Sequence, residues 1–334
     1  MLKFVLFGAG FWAQYQLAAW REISGAECIA ICDPIKERAE TLANRFGIAN
    51  FFSQPADAFI GADFVDIATP PRTHPEMVRL ALSHRIPVLC QKPLAESLAE
   101  AEALAIEARN VQIPLLVHEN WRWQTPIRAL KTELETGVIG SPFRARLTMV
   151  SGYPVFDNQP FLKNLPRFVL ADMGVHILDT ARFLFEEAQS VYCQTRKVQP
   201  DIAGEDAATV MTLHNGVTVI TELGYPQNFY EEDRFPETLI RIEGQRGSIE
   251  LAADYWLRIT TSEGTTARRV PPKHYDWADP AYNVVHASLV PCLANLLEGV
   301  RGGRAETTAE DNLKTLRIVE GAYLSAERRE AVKL

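Results

Sequence analysis

Asp172 and His176 stand four residues apart in the run Asp172-Met173-Gly174-Val175-His176-Ile177-Leu178-Asp179. If the chain is helical from Met173 onward, their side chains share one face about a turn apart. An imidazole can take a hydroxyl proton near neutrality, and a carboxylate beside it sets the tautomer and raises the basicity. The same residues also suit a helix cap and a satisfied core histidine. With a third ligand they could bind zinc, but no His-Glu-x-x-His or paired-cysteine spacing accompanies them, and no metal is expected. Lys92 directly follows the apolar run Val88–Cys90 and Gln91, and precedes Pro93. An ammonium at the carboxyl end of a strand can polarise a reacting oxygen, because ligands of doubly wound sheets sit at that edge. A lysine in this position can equally be a solvated surface residue.

A second chemical pattern lies at the start. Gly8-Ala9-Gly10-Phe11-Trp12-Ala13 matches G-x-G-x-x-A in the first strand-to-helix turn. Gly8 permits the tight turn, Gly10 lets backbone approach a pyrophosphate, and Ala13 keeps the helix near the sheet. The helix N-terminus offers N–H groups and partial positive charge to phosphates. Asp33 follows Gly10 by 23 positions, where the acid that holds an adenosine ribose is expected. Its charge would repel a 2′-phosphate, so NAD is expected over NADP, although Lys36 and Arg38 are close by. The alternatives are a glycine turn without a ligand and, for Asp33, an N-cap of the following helix.

These residues need elements to position them. Short apolar runs at Phe4–Phe7, Glu27–Cys32, Phe64–Ala68, Val88–Cys90 and Leu115–His118 alternate with helix-like segments such as Lys36–Phe46, Pro75–Ser83 and Ser97–Arg109. That is the texture of parallel strands joined by crossover helices. After about residue 140 longer alternating segments appear, among them Phe143–Val150, Ala208–His214, Val217–Leu223, Leu239–Glu243, Ser248–Leu251 and Trp256–Thr261. Asn215-Gly216 between two of them is a strong hairpin signal. The expected fold class is α/β: an N-terminal Rossmann doubly wound parallel sheet over residues 1–120, then an α+β domain over 121–334 with a mostly antiparallel open sheet. The helical segment Thr308–Ser325 is expected to pack back on the body.

The 334 residues carry 34 Lys and Arg against 42 Asp and Glu, a formal charge of −8. An acidic balance argues against nucleic-acid binding, which needs a basic face. No apolar run reads as a membrane span, and Lys3 before a run that stops at Gly8 does not read as a signal peptide. Five scattered cysteines suit reduced thiols and a cytoplasmic protein better than a disulfide framework.

Three motifs in order bring a family into view: Thr69-Pro70-Pro71-Arg72-Thr73-His74, Gln91-Lys92-Pro93, and the Asp172–Asp179 run. With these spacings the chain resembles the Gfo/Idh/MocA oxidoreductases over essentially its whole length, including the closing Ala322-Tyr323-Leu324-Ser325-Ala326. The family usually reads Glu-Lys-Pro where this chain has Gln91, so any role needing that charge is in doubt. Gly10-Phe11-Trp12-Ala13 and Asn120-Trp121-Arg122-Trp123 are similar to stretches of sugar dehydrogenases in the family, with an aldopentose such as D-apiose one candidate substrate.

The resemblance implies Lys92, Asp172 and His176 as catalytic residues. It implies cofactor contacts from Gly8, Gly10, Phe11, Trp12, Asp33, Thr69, Pro70, His74, Gln91, Lys92 and Asn120, His74 being equally readable as a loop cap. A sugar or polyol would meet Trp12, Lys92, Asn120, Arg122, Trp123, Asp172 and His176. Tyr153, Phe168, Trp256, His274, Tyr275 and Trp277 are further pocket candidates. The implied reaction is hydride transfer from a sugar hydroxyl to NAD in a homodimer or homotetramer. Lyase or glycosidase chemistry through transient oxidation, and a non-catalytic dinucleotide-binding sensor, are the rival expectations.

Overall fold

The computed structural model describes residues 1–225 and 233–334 and divides the chain into two compact units. The first unit comprises residues 1–119, 276–278 and 289–313; the second comprises 120–275, 279–288 and 314–334. A single cut at residue 120 therefore misses a return of the chain. Residues 289–313 rejoin the first unit, where the Val117 N–H donates to the Thr307 carbonyl at 2.8 Å.

In the first unit six strands, Leu2–Phe7 (β1), Ala26–Cys32 (β2), Asn50–Phe52 (β3), Phe64–Ile67 (β4), Val88–Gln91 (β5) and Leu115–His118 (β6), form one parallel sheet. Their spatial order is β3-β2-β1-β4-β5-β6, the doubly wound order whose ligand crevice opens where the strand order reverses, between β1 and β4. Phe11–Arg21 (α1), Lys36–Phe46 (α2), His74–Ser83 (α3) and Leu98–Val111 (α4) connect the strands. α4 starts on a readable signature: the Ser97 hydroxyl accepts from the Glu100 N–H. α2 ends at Gly47, whose φ of 61° is the left-handed stop that glycine supplies. Phe4 stacks on Phe64 at 5.0 Å and tilts against Trp20 at 4.9 Å, which makes the core between β1, β4 and α1. β3 was not visible as an apolar run because it has only three residues and borrows its pairing from β2.

In the second unit Thr125–Glu135 (α5), Pro142–Val150 (β7), the short Val155–Asn158 (α6) and Val175–Phe185 (α7) lead into Ala188–Arg196 (β8), Ala207–His214 (β9), Val217–Gly224 (β10), Leu239–Gly244 (β11), Gly247–Ala252 (β12), Trp256–Thr261 (β13) and Gly264–Arg269 (β14). Asn283–Val300 (α8), which contributes to both units, Ala309–Arg328 (α9) and Val332–Lys333 (β15) close the chain. The sheet order is β14-β13-β12-β11-β7-β10-β9-β8-β15, antiparallel except for β7 beside β10. The Asn215-Gly216 turn has φ values of 45° and 87°, the doubly left-handed geometry its sequence calls for. β14 is exposed along its full length, so it has no apolar alternation by which the sequence could have marked it.

Pro280–Val300 is long and apolar enough, by length and composition, to cross a bilayer. Asn283, His286, Ser288 and Pro291 interrupt the run and hide its average character. In the fold Val284, Val285, Leu289, Leu293, Leu296 and Leu297 of this segment are buried.

A buried ion network holds α7 in the second unit. The Asp179 carboxylate takes a bidentate bond from Arg122, at 2.7 Å from Nε and 2.5 Å from Nη2, and a bond from the Thr315 hydroxyl at 3.0 Å. Arg182 approaches the same carboxylate at 3.4 Å and is itself paired with Glu187. Asp179→Ala leaves two guanidinium groups facing a vacated buried position. It should lower unfolding stability by about 3–5 kcal/mol in a denaturant titration.

Candidate active site

The nucleotide turn has the geometry its sequence requires. Gly8 has a φ of 99°, and a Cβ there would lie 2.6 Å from the Ala68 carbonyl oxygen of the chain after β4. Only glycine fits. At Gly10, the N-cap of α1, a Cβ would meet nothing within 4 Å, and no side chain caps the helix. The backbone at the start of α1 is thus open to close approach, the arrangement that admits a pyrophosphate.

Asp33 is buried at the end of β2, where Oδ2 accepts from Ala9 N–H at 2.8 Å and Oδ1 from Ile35 N–H at 2.9 Å. It does not cap α2, whose N-cap is Ile35. Each oxygen retains a lone pair for a ribose hydroxyl. These observations fit a bound dinucleotide. Phe11, Trp12 and Tyr15 meet edge to face at 5.4–6.2 Å, leaving Trp12 half-buried beside the turn.

The Thr69 and Lys92 turns are tied together by His74. Its ring is fully buried, with Nε2 2.8 Å from the Thr69 carbonyl and Nδ1 2.9 Å from the Pro93 carbonyl. Burial pushes its pKa below the usual imidazole range, although these backbone contacts oppose that. Both nitrogens are thus directed at backbone, so the loop-tying reading of His74 describes the geometry better than a cofactor contact. The Lys92–Pro93 peptide is cis.

Behind Lys92 runs a buried polar chain. Gln91 Nε2 donates to Gln16 Oε1 at 2.9 Å and faces His118 Nδ1 at 2.5 Å, while Gln91 Oε1 accepts from the Lys92 N–H at 3.2 Å. Gln16 Nε2 in turn donates to Asp66 Oδ1 at 2.6 Å, and Trp20 Nε1 to Oδ2 at 2.7 Å. Complete burial pushes the Asp66 carboxyl up to about 6, with the two donors pulling the other way.

In the second unit Asp172 lies in a single π-helical turn, Leu170–Gly174, that runs directly into α7. Such turns are frequent at functional sites because they re-aim side chains without breaking the helix. Glu205 holds the entry by accepting from the N–H groups of Phe168 and Leu170, and from the Tyr323 hydroxyl at 2.7 Å. His176, one turn on, is buried with its ring stacked on the Trp121 indole at 4.6 Å and 22°. Trp121 Nε1 donates to Thr238 Oγ1 at 2.9 Å. A tryptophan in an aromatic run such as Trp121 carries no sequence mark of what it stacks against.

Other expected ligand residues have partners inside this unit. Arg122 is committed to Asp179, and Asn120 Nδ2 donates to Ser288 Oγ at 2.7 Å and the Val285 carbonyl at 3.3 Å. The Trp123 ring is covered by the Arg128 guanidinium at 3.6 Å. Arg122, which the resemblance implied as a substrate contact, here anchors its turn to Asp179. Phe168 and Tyr275 are core, His274 is exposed, and Trp277 bonds Glu22 at 3.1 Å in the first unit. Tyr153 stacks on Phe235 at 4.1 Å, and Trp256 is half-buried in β13. Among the described residues no cluster of three His, Cys, Asp or Glu could hold a metal ion.

Residues 2–118 match the oxidoreductase family with the NAD-binding Rossmann fold, and residues 127–250 match the Gfo/Idh/MocA C-terminal domain. The chain belongs to the Gfo/Idh/MocA oxidoreductase family. This family member is 40% identical to D-apiose dehydrogenase of Rhizobium rhizogenes, covering 100% of the chain and 97% of that protein. It is also 40% identical to D-apiose dehydrogenase of Paraburkholderia graminis, covering 99% and 89%. A crystal structure of an oxidoreductase from Agrobacterium radiobacter in complex with NAD+, L-tartaric acid and magnesium superposes with a TM-score of 0.97 at 40% identity, covering 99% of this chain and 98% of that one.

Two outcomes follow from this geometry. Gly8→Ala should weaken NAD binding at least about tenfold in a fluorescence titration, about 1.4 kcal/mol, because the turn must open to admit the methyl group. Asp66 holds its proton to a higher pH when folded, about 6, than its ordinary 3.8. Its contribution to stability must therefore fall as pH rises from about 4 to about 6. Denaturant titrations across that window should show the stability difference moving in favour of Asp66→Asn.

Proposed function

We propose that this oxidoreductase oxidises a sugar hydroxyl with NAD, and that the sugar is an aldopentose of the D-apiose kind. The observation that supports this most directly is the full-length 40% identity to two D-apiose dehydrogenases. If the carbinol is the anomeric centre, the first product is a lactone. NAD, when bound, accepts the hydride that leaves the carbinol carbon. His176 takes the hydroxyl proton, Asp172 sets the tautomer of its ring, and the Lys92 ammonium steadies the negative charge developing on the oxygen. Stacking on Trp121 limits how the imidazole can turn, which favours a fixed base over a mobile one.

Asp33 supports NAD over NADP, since its carboxylate sits beside the glycine turn where a 2′-phosphate would meet a like charge. The open face of the large sheet, with Met211 and Leu213 exposed on β9, supports assembly into a homodimer or homotetramer. Light scattering would measure that assembly.

The deciding experiment is a panel of aldopentoses and polyols with NAD and NADP, read as net reduced cofactor. Net NADH with an aldopentose is expected, and transient-oxidation chemistry or a non-catalytic sensor would give none. NAD should be preferred at least about tenfold in kcat/KM, and Asp33→Asn should narrow that gap. His176→Ala should lower kcat by about 10²–10⁴ with partial recovery at high pH, and Lys92→Ala should be at least as damaging. Near-normal turnover in His176→Ala would remove it as the base.

A further inference from the structure

The chain of side chains behind Lys92 has a direction, and one group sets it. An ionised carboxylate accepts hydrogen bonds and cannot donate, whereas an indole N–H and a backbone N–H can only donate. Asp66 on β4 therefore requires Gln16, on α1, to present its amide nitrogen, as the 2.6 Å bond shows. That leaves Gln16 Oε1 for Gln91, which must offer its own nitrogen, at 2.9 Å. Gln91 Oε1 is then the atom left to accept from the Lys92 backbone N–H. Gln91 Nε2 also faces His118 Nδ1 at 2.5 Å, a contact compatible with this polarity when that ring nitrogen accepts. Aligned amide dipoles of this kind strengthen one another in a buried, low-dielectric setting.

We propose that Asp66 is a positioning residue for Lys92, acting through Gln16 and Gln91 to fix the hydrogen bond that holds the Lys92 backbone at the end of β5. The proposal rests on the reading of Lys92 as catalytic only for its effect on rate; the direction of the chain is independent of it. It also accounts for a neutral glutamine at position 91. A glutamate there would turn a carboxylate oxygen toward Gln16 Oε1, placing acceptor against acceptor, while Asp66 already supplies the negative charge. With its carboxyl titrating at about 6, Asp66 is ionised at neutral pH and above.

Replacing Asp66 with asparagine reverses the chain. The asparagine oxygen is needed by Trp20 Nε1, so its nitrogen meets Gln16; Gln16 and then Gln91 must turn over, leaving an amide nitrogen against the Lys92 N–H. Combining Asp66→Asn with Gln16→Glu restores the polarity with side chains of nearly the same shape. The asparagine nitrogen donates to the glutamate, whose other oxygen accepts from Gln91.

The test follows the Lys92 amide and turnover together in the full-length protein labelled with 15N-lysine. The Lys92 resonance is assigned by its loss in Lys92→Arg. In Asp66→Asn the Lys92 amide proton should move upfield, and kcat should fall about tenfold or more, with KM for the sugar within about twofold. Misplacing a reacting group costs rate before affinity. In the double variant both the amide shift and kcat should return, kcat to within about threefold of the original. An amide signal that follows this pattern without a change in kcat would keep the relay and overturn the role of Lys92. An amide signal unmoved by Asp66→Asn, or unrestored in the double variant, would overturn the relay itself.

Discussion

A buried carboxylate can only accept hydrogen bonds, and much of this protein is arranged around three residues under that constraint. Asp33 gathers the N–H groups of Ala9 and Ile35 and so fixes the glycine turn against the end of β2. Asp66 gathers Gln16 and Trp20 and so decides which way the amides behind Lys92 face. Asp179 gathers Arg122, Arg182 and Thr315 and so pins the Trp121–Trp123 turn to α7, the helix that carries His176. In each case desolvating a negative charge is costly, and the cost is offset only when every nearby donor is aimed at it. That requirement turns a short acidic side chain into a device for orienting segments distant in sequence.

The two units meet this demand differently. In the first, among the described residues, the donors around Asp33 are backbone N–H groups and those around Asp66 are neutral side chains. A single charge can then be felt along a line of amides. In the second unit Asp179 is neutralised by guanidinium groups, and the fork of Arg122 matches the carboxylate in two parallel bonds. This is a rigid anchor with little to transmit. The difference suits the proposed chemistry, in which Lys92 stands on a short turn after a strand and needs its backbone held. His176 stands on a helix and is held by the stacked indole and the ion network beneath.

His74 shows how burial alone can move a residue from one role to another. Its sequence context, after Thr69-Pro70, suits a cofactor contact and a loop cap equally. With the ring fully enclosed and both nitrogens directed at carbonyl oxygens, it joins the Thr69 and Lys92 turns at the same edge of the sheet. Burial lowers its pKa, while the two carbonyl acceptors favour a ring that can donate from both nitrogens.

The sequence by itself determined what depends on local spacing and on residue type. G-x-G-x-x-A and an acid 23 positions on are legible because turn sterics and helix N-termini act over a few residues. The βα alternation and the Asn215-Gly216 hairpin are legible because periodicity and left-handed turns are local as well. Only the tertiary structure decided what depends on partners brought from elsewhere in the chain. Nothing near Arg122 in sequence says that its guanidinium meets Asp179 rather than a ligand, or that Asn120 is taken up by Ser288. Nothing marks Trp121 as the surface on which His176 lies, or Asp66 in an otherwise apolar strand as the end of a line through Gln16 and Gln91. A side chain's type states which bonds it can make; only folding, by removing water as the competing partner, decides which of them it must make.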